Sequence, residues 1–419
     1  MKDSASQSPT SDRIPIVGWR AFLAVMGPGL VVMLADTDVG SIITAAQSGV
    51  QWGYRLLLLQ GLLIPVLYVV QELTVRLGLF TGKGHGELIR ATFGRGWAWL
   101  SVSSLGIAAL GALLTEFSGV AGVGEMYGIP RAVSLGLSVL FLLFVVLTGS
   151  YRRVERVAIA LGLFEFAFFL VAYRSHPHAA TLFHGLARMP LGDRHYMYLV
   201  AANIGAVIMP WMIFYQQSAI ADKKLKPVHY NYARWDTAIG SVLTQGVMAA
   251  ILIAAAATIG AGGGKRSLES IGDITAMLAP VLGSDVGRAV FGLGTIGAAM
   301  VAAIVVSLAS AWGFGEVSGY RHSLEHHPME APWFYGVYAI AVIGGAVTVE
   351  VVPNLVALNI GVEVMNALML PLVLGFLVLL AFRALPAERR PRGLYAWIVV
   401  GVSLLISALG IYAGITGIH

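Results

Sequence analysis

Ala35-Asp36-Thr37-Asp38-Val39-Gly40-Ser41 sets two carboxylates inside a strongly apolar run, and Gly205-Ala206-Val207-Ile208-Met209-Pro210-Trp211 interrupts a second one. A charged side chain at the centre of a bilayer costs roughly 2.5–3.5 kcal/mol even on the lenient insertion scale. Two of them in one stretch demand a reason, and a bound cation is the simplest.

The surrounding composition fixes the class. Of 419 residues, 57% are hydrophobic and 12% charged, and the mean hydropathy is +0.79. These values describe an all-α integral membrane protein crossing the bilayer many times. Apolar stretches of about 20 residues, the length that crosses roughly 30 Å of hydrocarbon, recur near 21–48, 54–80, 97–125, 131–149, 155–173, 197–220, 236–261, 287–315, 333–351, 355–382 and 395–417. Eleven spans are therefore expected.

The basic residues give an independent check. With the N-terminus cytoplasmic, most of the 27 Lys and Arg fall in inside segments, in clusters such as Arg152, Arg153 and Arg156, Lys223, Lys224 and Lys226, and Arg389, Arg390 and Arg392. This is the positive-inside pattern, with the C-terminus outside. The net charge of +5 then reports loops facing anionic lipid and implies no nucleic-acid partner. Cysteine is absent, so disulfides, thiolate metal sites and cysteine nucleophiles are excluded. Residues 1–18 lack the basic start and apolar core of a signal peptide and read as a disordered cytoplasmic tail. Residues 19–419 form one transmembrane domain with no soluble module.

Spans 1 and 6 share an oddity. Gly27-Pro28-Gly29 opens span 1 and Asp36 to Ser41 interrupts it; Asn203, Gly205 and Pro210 lie within span 6, where Pro removes a backbone donor. Irregular backbone persists at membrane depth only where it is buried in protein or lines a cavity. Breaks at matching places five spans apart point to an inverted-repeat transporter, with repeats at about 21–173 and 197–382 and an extra helix at 395–417. Structural kinks are the plain alternative, but kinks do not explain two Asp residues at one of them.

These residues are similar to the Nramp family of divalent metal transporters. The resemblance runs through Gly27-Pro28-Gly29, Gln47-Ser48-Gly49, Arg76-Leu77-Gly78, Thr81-Gly82-Lys83, Thr115-Glu116 and Gly205 to Pro210. It implies a LeuT-like fold of ten helices plus one, with helices 1 and 6 discontinuous. It also implies a metal site combining Asp38 with Ala206, whose carbonyl would face the ion, and Met209 as thioether ligand. Gly40 matches the family glycine, while Val39 stands for Pro, Ser41 for Asn and Trp211 for His. Glu116 matches the first acid of helix 3, but Gly119 takes the place of the second. With the helix 6 His and one of the two helix 3 acids missing, weak or absent proton coupling is expected. One extra residue between Met209 and Ala219 leaves Met212 as an alternative to Met209.

The chemistry of such a site mixes hard and soft donors. The Asp38 carboxylate, the Ser41 hydroxyl and the Ala206 carbonyl suit Mg²⁺ and Mn²⁺, whereas the Met209 thioether favours softer metals. A site poorer in direct ligands suits an ion that keeps part of its water shell, as Mg²⁺ does. Asp36 reads as an outer-sphere acceptor or as a helix cap. Thr37, Trp211, Met212, Glu72, Glu116, Glu165, Gln216 and Gln217 read as path residues or ion-pair partners. Asn359, Glu363 and Asn366 recur at i, i+4 and i+7 on one helix face.

Other signals are set aside. Gly292-Leu293-Gly294-Thr295-Ile296-Gly297 spells a dinucleotide fingerprint inside a span with no preceding strand, and small-residue packing explains it better. Gly262-Gly263-Gly264-Lys265 is followed by Arg266, where a phosphate loop needs Ser or Thr. His176, His178 and His184 read as solvated loop residues. The expected function is an importer of Mg²⁺ or Mn²⁺ in the inner membrane, with no cofactor, no enzymatic role and no obligate protein partner. A sodium-coupled carrier of an organic solute and a non-transporting receptor are the alternatives.

Overall fold

The computed structural model describes Gly18 and residues 25–186, 189–258, 268, 284–352 and 354–418. The expected tail, apart from Gly18, and the Gly262–Arg266 segment lie outside the described residues. Every regular element among them is helical. In chain order these are α1 (Pro28–Asp36), α2 (Val39–Trp52), α3 (Leu57–Thr81), α4 (His85–Phe93), α5 (Arg95–Met126), α6 (Arg131–Leu147), α7 (Tyr151–Gly162) and α8 (Ala167–Arg174). There follow α9 (Ala179–Leu186), α10 (Arg194–Gly205), α11 (Pro210–Asp222), α12 (Tyr230–Thr258), α13 (Ser284–Ser318), α14 (Pro332–Val351), α15 (Leu355–Arg383) and α16 (Gly393–Ile418). Among the described residues, eight helical stretches are long and apolar enough to cross a membrane.

Local chemistry accounts for both breaks. Pro28 starts α1 at its first turn, where the missing N–H is no loss. The helix ends at Asp36, and Asp38 turns extended (φ −73°, ψ 174°) so that its side chain can cap α2. In the second break α10 stops at Gly205, Met209 is extended (φ −106°, ψ 144°), and Pro210 begins α11. The sequence expected one continuous span over 155–173; instead α7 and α8 are joined by a 3₁₀ turn, Leu163–Phe166. The links also hold two short helices the reading had not placed, α4 and α9. His184 therefore lies on a helix, though exposed like His176 and His178.

Burial separates centre from rim. In the α10–α11 stretch 94% of the most apolar window is buried, against 33% in α16, so the broken segments occupy the middle. There α12 packs on α1, α2 and α3, α15 on α10 and α5, and α13 on α5 and the α7–α8 turn. The glycine series of α13 serves this packing: side chains at Gly294 and Gly297 would meet the Phe168 ring at 3.0 Å and the Leu161 carbonyl at 2.6 Å.

Candidate functional site

The two breaks meet. Asp38 is fully buried, and its Oδ1 accepts the Ser41 N–H at 2.7 Å. Its Oδ2 has no hydrogen-bond partner. The Ser41 hydroxyl donates to the Ala206 carbonyl at 3.0 Å, so the side chain and the carbonyl that the sequence offered as ligands satisfy one another across the gap. A carbonyl oxygen has a second lone pair, which leaves Ala206 able to face an ion as well.

Two further helices bring carboxylates to the same place. Glu116 of α5 faces Asp38; its Oε2 accepts the Val39 N–H at 3.3 Å and its Oε1 the Thr115 hydroxyl at 3.0 Å. Glu363 of α15 accepts from Asn366 Nδ2 through Oε2 at 3.1 Å, while Oε1 is unpartnered. It rests on Gly40, where a Cβ would lie 2.1 Å from Oε1. Gly205 is needed for the same approach, because its Cβ would lie 1.7 Å from the Glu363 carbonyl oxygen. Of the polar row on α15, Glu363 therefore reaches the break and Asn366 donates to its carboxylate, whereas Asn359 donates to Ser118 of α5 at 2.7 Å.

Asp36, at the end of α1, points toward α12. Its Oδ2 accepts from the Thr244 hydroxyl at 3.4 Å, Thr244 and Thr37 share a hydrogen bond of 2.8 Å, and Oδ1 is unpartnered. Glu165, in the 3₁₀ turn, is 1% exposed and lies in the field of Asp36 and Asp38. Among the described residues none of these five acids has a Lys or Arg ion-pair partner. Nor do three His, Asp or Glu side chains converge closely enough to grip a metal by themselves.

Met209 and Met212 are both fully buried, the first in the unwound segment and the second in the opening turn of α11. Trp211 is buried with its indole N–H unpartnered. The remaining candidates sit elsewhere. Glu72 is paired with Arg76 at 2.7 Å and accepts from Tyr230 and Tyr395. Gln216 binds Thr74 and, at 2.9 Å, Thr237. Gln217 binds His85 at 2.9 Å and the Lys83 carbonyl at 3.0 Å. These three fasten α3, α4, α11 and α12 together instead of facing the break.

Access is lopsided. A cavity of about 540 Å³ lies at the end of the bundle where α2 finishes and α10 and α15 start, lined by residues including Gln47, Gln51, His195, Tyr198 and Asn354. Gln47 is nine residues beyond Asp38, roughly 14 Å along the helix axis. At the opposite end α1 is tied down. Asp236 of α12 accepts the N–H groups of Gly29, Leu30 and Gly27 at 2.8, 3.1 and 3.3 Å, and Lys223 pairs with Glu155 at 2.8 Å. Sequence reading passed over Asp236 and Thr244. The rule that singled out Asp36, a carboxylate in an apolar run, would have found Asp236.

Comparison with known proteins agrees with the geometry. The model of the Nramp family, natural resistance-associated macrophage protein-like, matches residues 29–416. The divalent metal cation transporter MntH of Yersinia pestis (strain Pestoides F) is 31% identical over 295 residues, covering 68% of this chain and 71% of that protein. MntH of Chromohalobacter salexigens is 29% identical over 304 residues, covering 69% of each. Among solved structures, the Eremococcus coleocola manganese transporter superposes with a TM-score of 0.76 at 19% identity, over 98% of this chain and 89% of that one. MhsT in complex with L-phenylalanine gives 0.61 at 13%, over 93% and 98%. The last two show the fold alone, a LeuT-like helical arrangement. The relatives are named as transporters and none as an enzyme, and with the family model spanning nearly the whole chain the protein belongs to the Nramp family.

Proposed function

We propose that the chain imports divalent cations, Mg²⁺ and Mn²⁺ first, through a site centred on Asp38. The observation that carries this reading is the buried, half-partnered Asp38 carboxylate at a double helix break, with no counter-charge from Lys or Arg among the described residues. Such a group is stabilised by a cation that arrives from outside the fold. Ser41, Ala206 and Met209 complete the ligand set, and Glu116 and Glu363 supply outer oxygens that favour hard ions with water attached.

The domain, residues 19–419, is read as eleven spans in an inverted five-plus-five arrangement with one added helix. Its N-terminus lies in the cytoplasm and its C-terminus outside, in the inner membrane. One group of helices rocks against the other around the fixed ion. A membrane potential of 100 mV, negative inside, favours entry of a double charge by about 4.6 kcal/mol, so proton coupling is not needed. Its expected weakness is supported by Trp211 in the histidine position and by Gly119, whose missing side chain is filled by Val39. The metal and the lipid bilayer are the partners of this reading, with no obligate protein.

Proteoliposome uptake of Mg²⁺ and Mn²⁺ with a pH dye inside tests the proposal. Metal entry without matching acidification is expected, and Asp38→Ala abolishes it while thermal unfolding still shows a folded protein. Undiminished uptake by that variant removes the assignment.

A further inference from the structure

Gly27-Pro28-Gly29 stands at the opposite end of α1 from the ion gap, so ion binding does not account for it. Its neighbours do. The amides at the start of a helix have no partner within it, and here those of Gly27, Gly29 and Leu30 are all taken by one buried carboxylate, Asp236 of α12. The carbonyls just before the helix, of Met26 and Val25, accept from Lys223 Nζ at 3.1 and 3.5 Å, and the same ammonium pairs with Glu155 of α7 at 2.8 Å. Both glycines are needed for this approach. A Cβ at Gly29 would lie 2.6 Å from Asp236 Oδ2, and one at Gly27, whose φ is +147°, would overlap the Glu155 carboxylate. A negative group on the amides and a positive one on the preceding carbonyls thus grip residues 25–30 from both sides.

We propose that Asp236 and Lys223 are positioning residues for transport: they clamp α1, keep the Asp38 gap shut at this end, and must let go before an ion can leave there. With nine residues, cut from α2 by the unwound Thr37 and Asp38 and preceded by the turn at Gly27, α1 is a short rod with a joint at each end. Every bond of the clamp to it is made with backbone atoms, so the rod moves as one piece when they part. Beside the clamp it lies on small residues, with Met33 against Gly240 and Ser241 of α12. The cavity of about 540 Å³ opens at the other end of the bundle, so the clamped end is the closed one. Loosening the clamp therefore shifts the protein toward a state open at the clamped end and shut at the cavity. The inference rests on the reading of the chain as a carrier that rocks around Asp38, and adds the residues that hold one of its two states.

The chain has no cysteine, so a single introduced thiol reports accessibility without background. Two reporters are placed in the whole chain in detergent: Ser241→Cys, fully buried against Met33 of α1, and Ala357→Cys, exposed in the cavity. With Asp236→Asn, or with Lys223→Gln, labelling by a charged maleimide is expected to rise about tenfold at 241 and to fall at 357. Opposite movements mark a shift between two states, whereas a merely structural brace, once weakened, raises both or moves neither. Should neither variant fold, Met33→Cys is combined with Ser241→Cys in the otherwise unchanged chain, where the two parent side chains approach to 3.9 Å. Oxidising that pair to a disulfide is expected to stop metal uptake by liposomes, and reduction to restore it. Labelling at 241 unchanged by the clamp variants, labelling that rises at both positions, or uptake that survives the cross-link overturns the proposal. Failure of the cargo reading shows separately, as absent Mn²⁺ uptake by the parent chain, which the labelling does not require.

Discussion

Gly205→Ala offers a sharp test of how the site is assembled. The added methyl would lie 1.7 Å from the Glu363 carbonyl oxygen and 2.8 Å from the Ala367 nitrogen. Both are backbone atoms of α15, and neither can rotate away. Contacts shorter than 3.0 Å are essentially never adopted, so α10 and α15 must part by about 1.3 Å. A gap of that size forfeits much of the dispersion along the seam, and overpacking of well-filled interiors costs about 1–3 kcal/mol. Gly205→Ala belongs at the upper end, about 3 kcal/mol, which at an unfolding entropy of about 2 cal/mol/K per residue over 419 residues is a fall of about 3–4 °C in the unfolding midpoint. Gly40→Ala is the matched control. The three atoms nearest its methyl all belong to side chains, Glu363 Oε1 at 2.1 Å, Glu363 Cδ at 3.2 Å and Thr115 Cγ2 at 3.4 Å, and the Glu363 carboxylate can swing aside at the expense of the ion site. The paired expectation in detergent and in liposomes is a large loss of stability for Gly205→Ala, and a small one with impaired metal uptake for Gly40→Ala. A Gly205→Ala midpoint within about 1 °C of the parent would refute the reasoning.

Burial pushes the His85 imidazole down to about 4, with Gln217 pulling the other way. The folded state thus holds His85 neutral where an unfolded chain would protonate it, so the stability it contributes is complete above pH 6.5 and drains away as pH falls toward 4. Unfolding midpoints of the parent should fall relative to His85→Gln across that window; a constant difference contradicts this. Glu72→Gln releases Arg76 from a largely buried pair and removes the acceptor of Tyr230 and Tyr395. A stability loss of about 1–3 kcal/mol is expected, with the KM for metal unchanged, and a raised KM would return Glu72 to the ion path.

Much of the architecture was written in the spacing of apolar residues, and the two interruptions were visible because Asp and Pro are conspicuous there. Asp38, Ser41 and Ala206 could be brought together only through the family resemblance, whose register places them in one site. Glu363 could be placed only on a face of its helix, since reaching Gly40 depends on how α15 crosses α2. Gln216 and Gln217 show the converse limit: polar side chains in a span look alike whether they face an ion or fasten neighbouring helices. The 3₁₀ turn at 163–166 has no Gly or Pro within it to announce it.

Gly119 stands where the family resemblance places an acid, and the space beside it is already taken. A side chain at 119 would begin 2.4 Å from one Val39 methyl and 2.8 Å from the other, and Val39 itself stands where the family resemblance places proline. Placing a carboxylate at 119 by one mutation therefore drives it into valine, while trimming valine first opens a hole with nothing to fill it. The two positions are interlocked like a ratchet tooth and its pawl, so neither can be exchanged for a differently sized residue without the other.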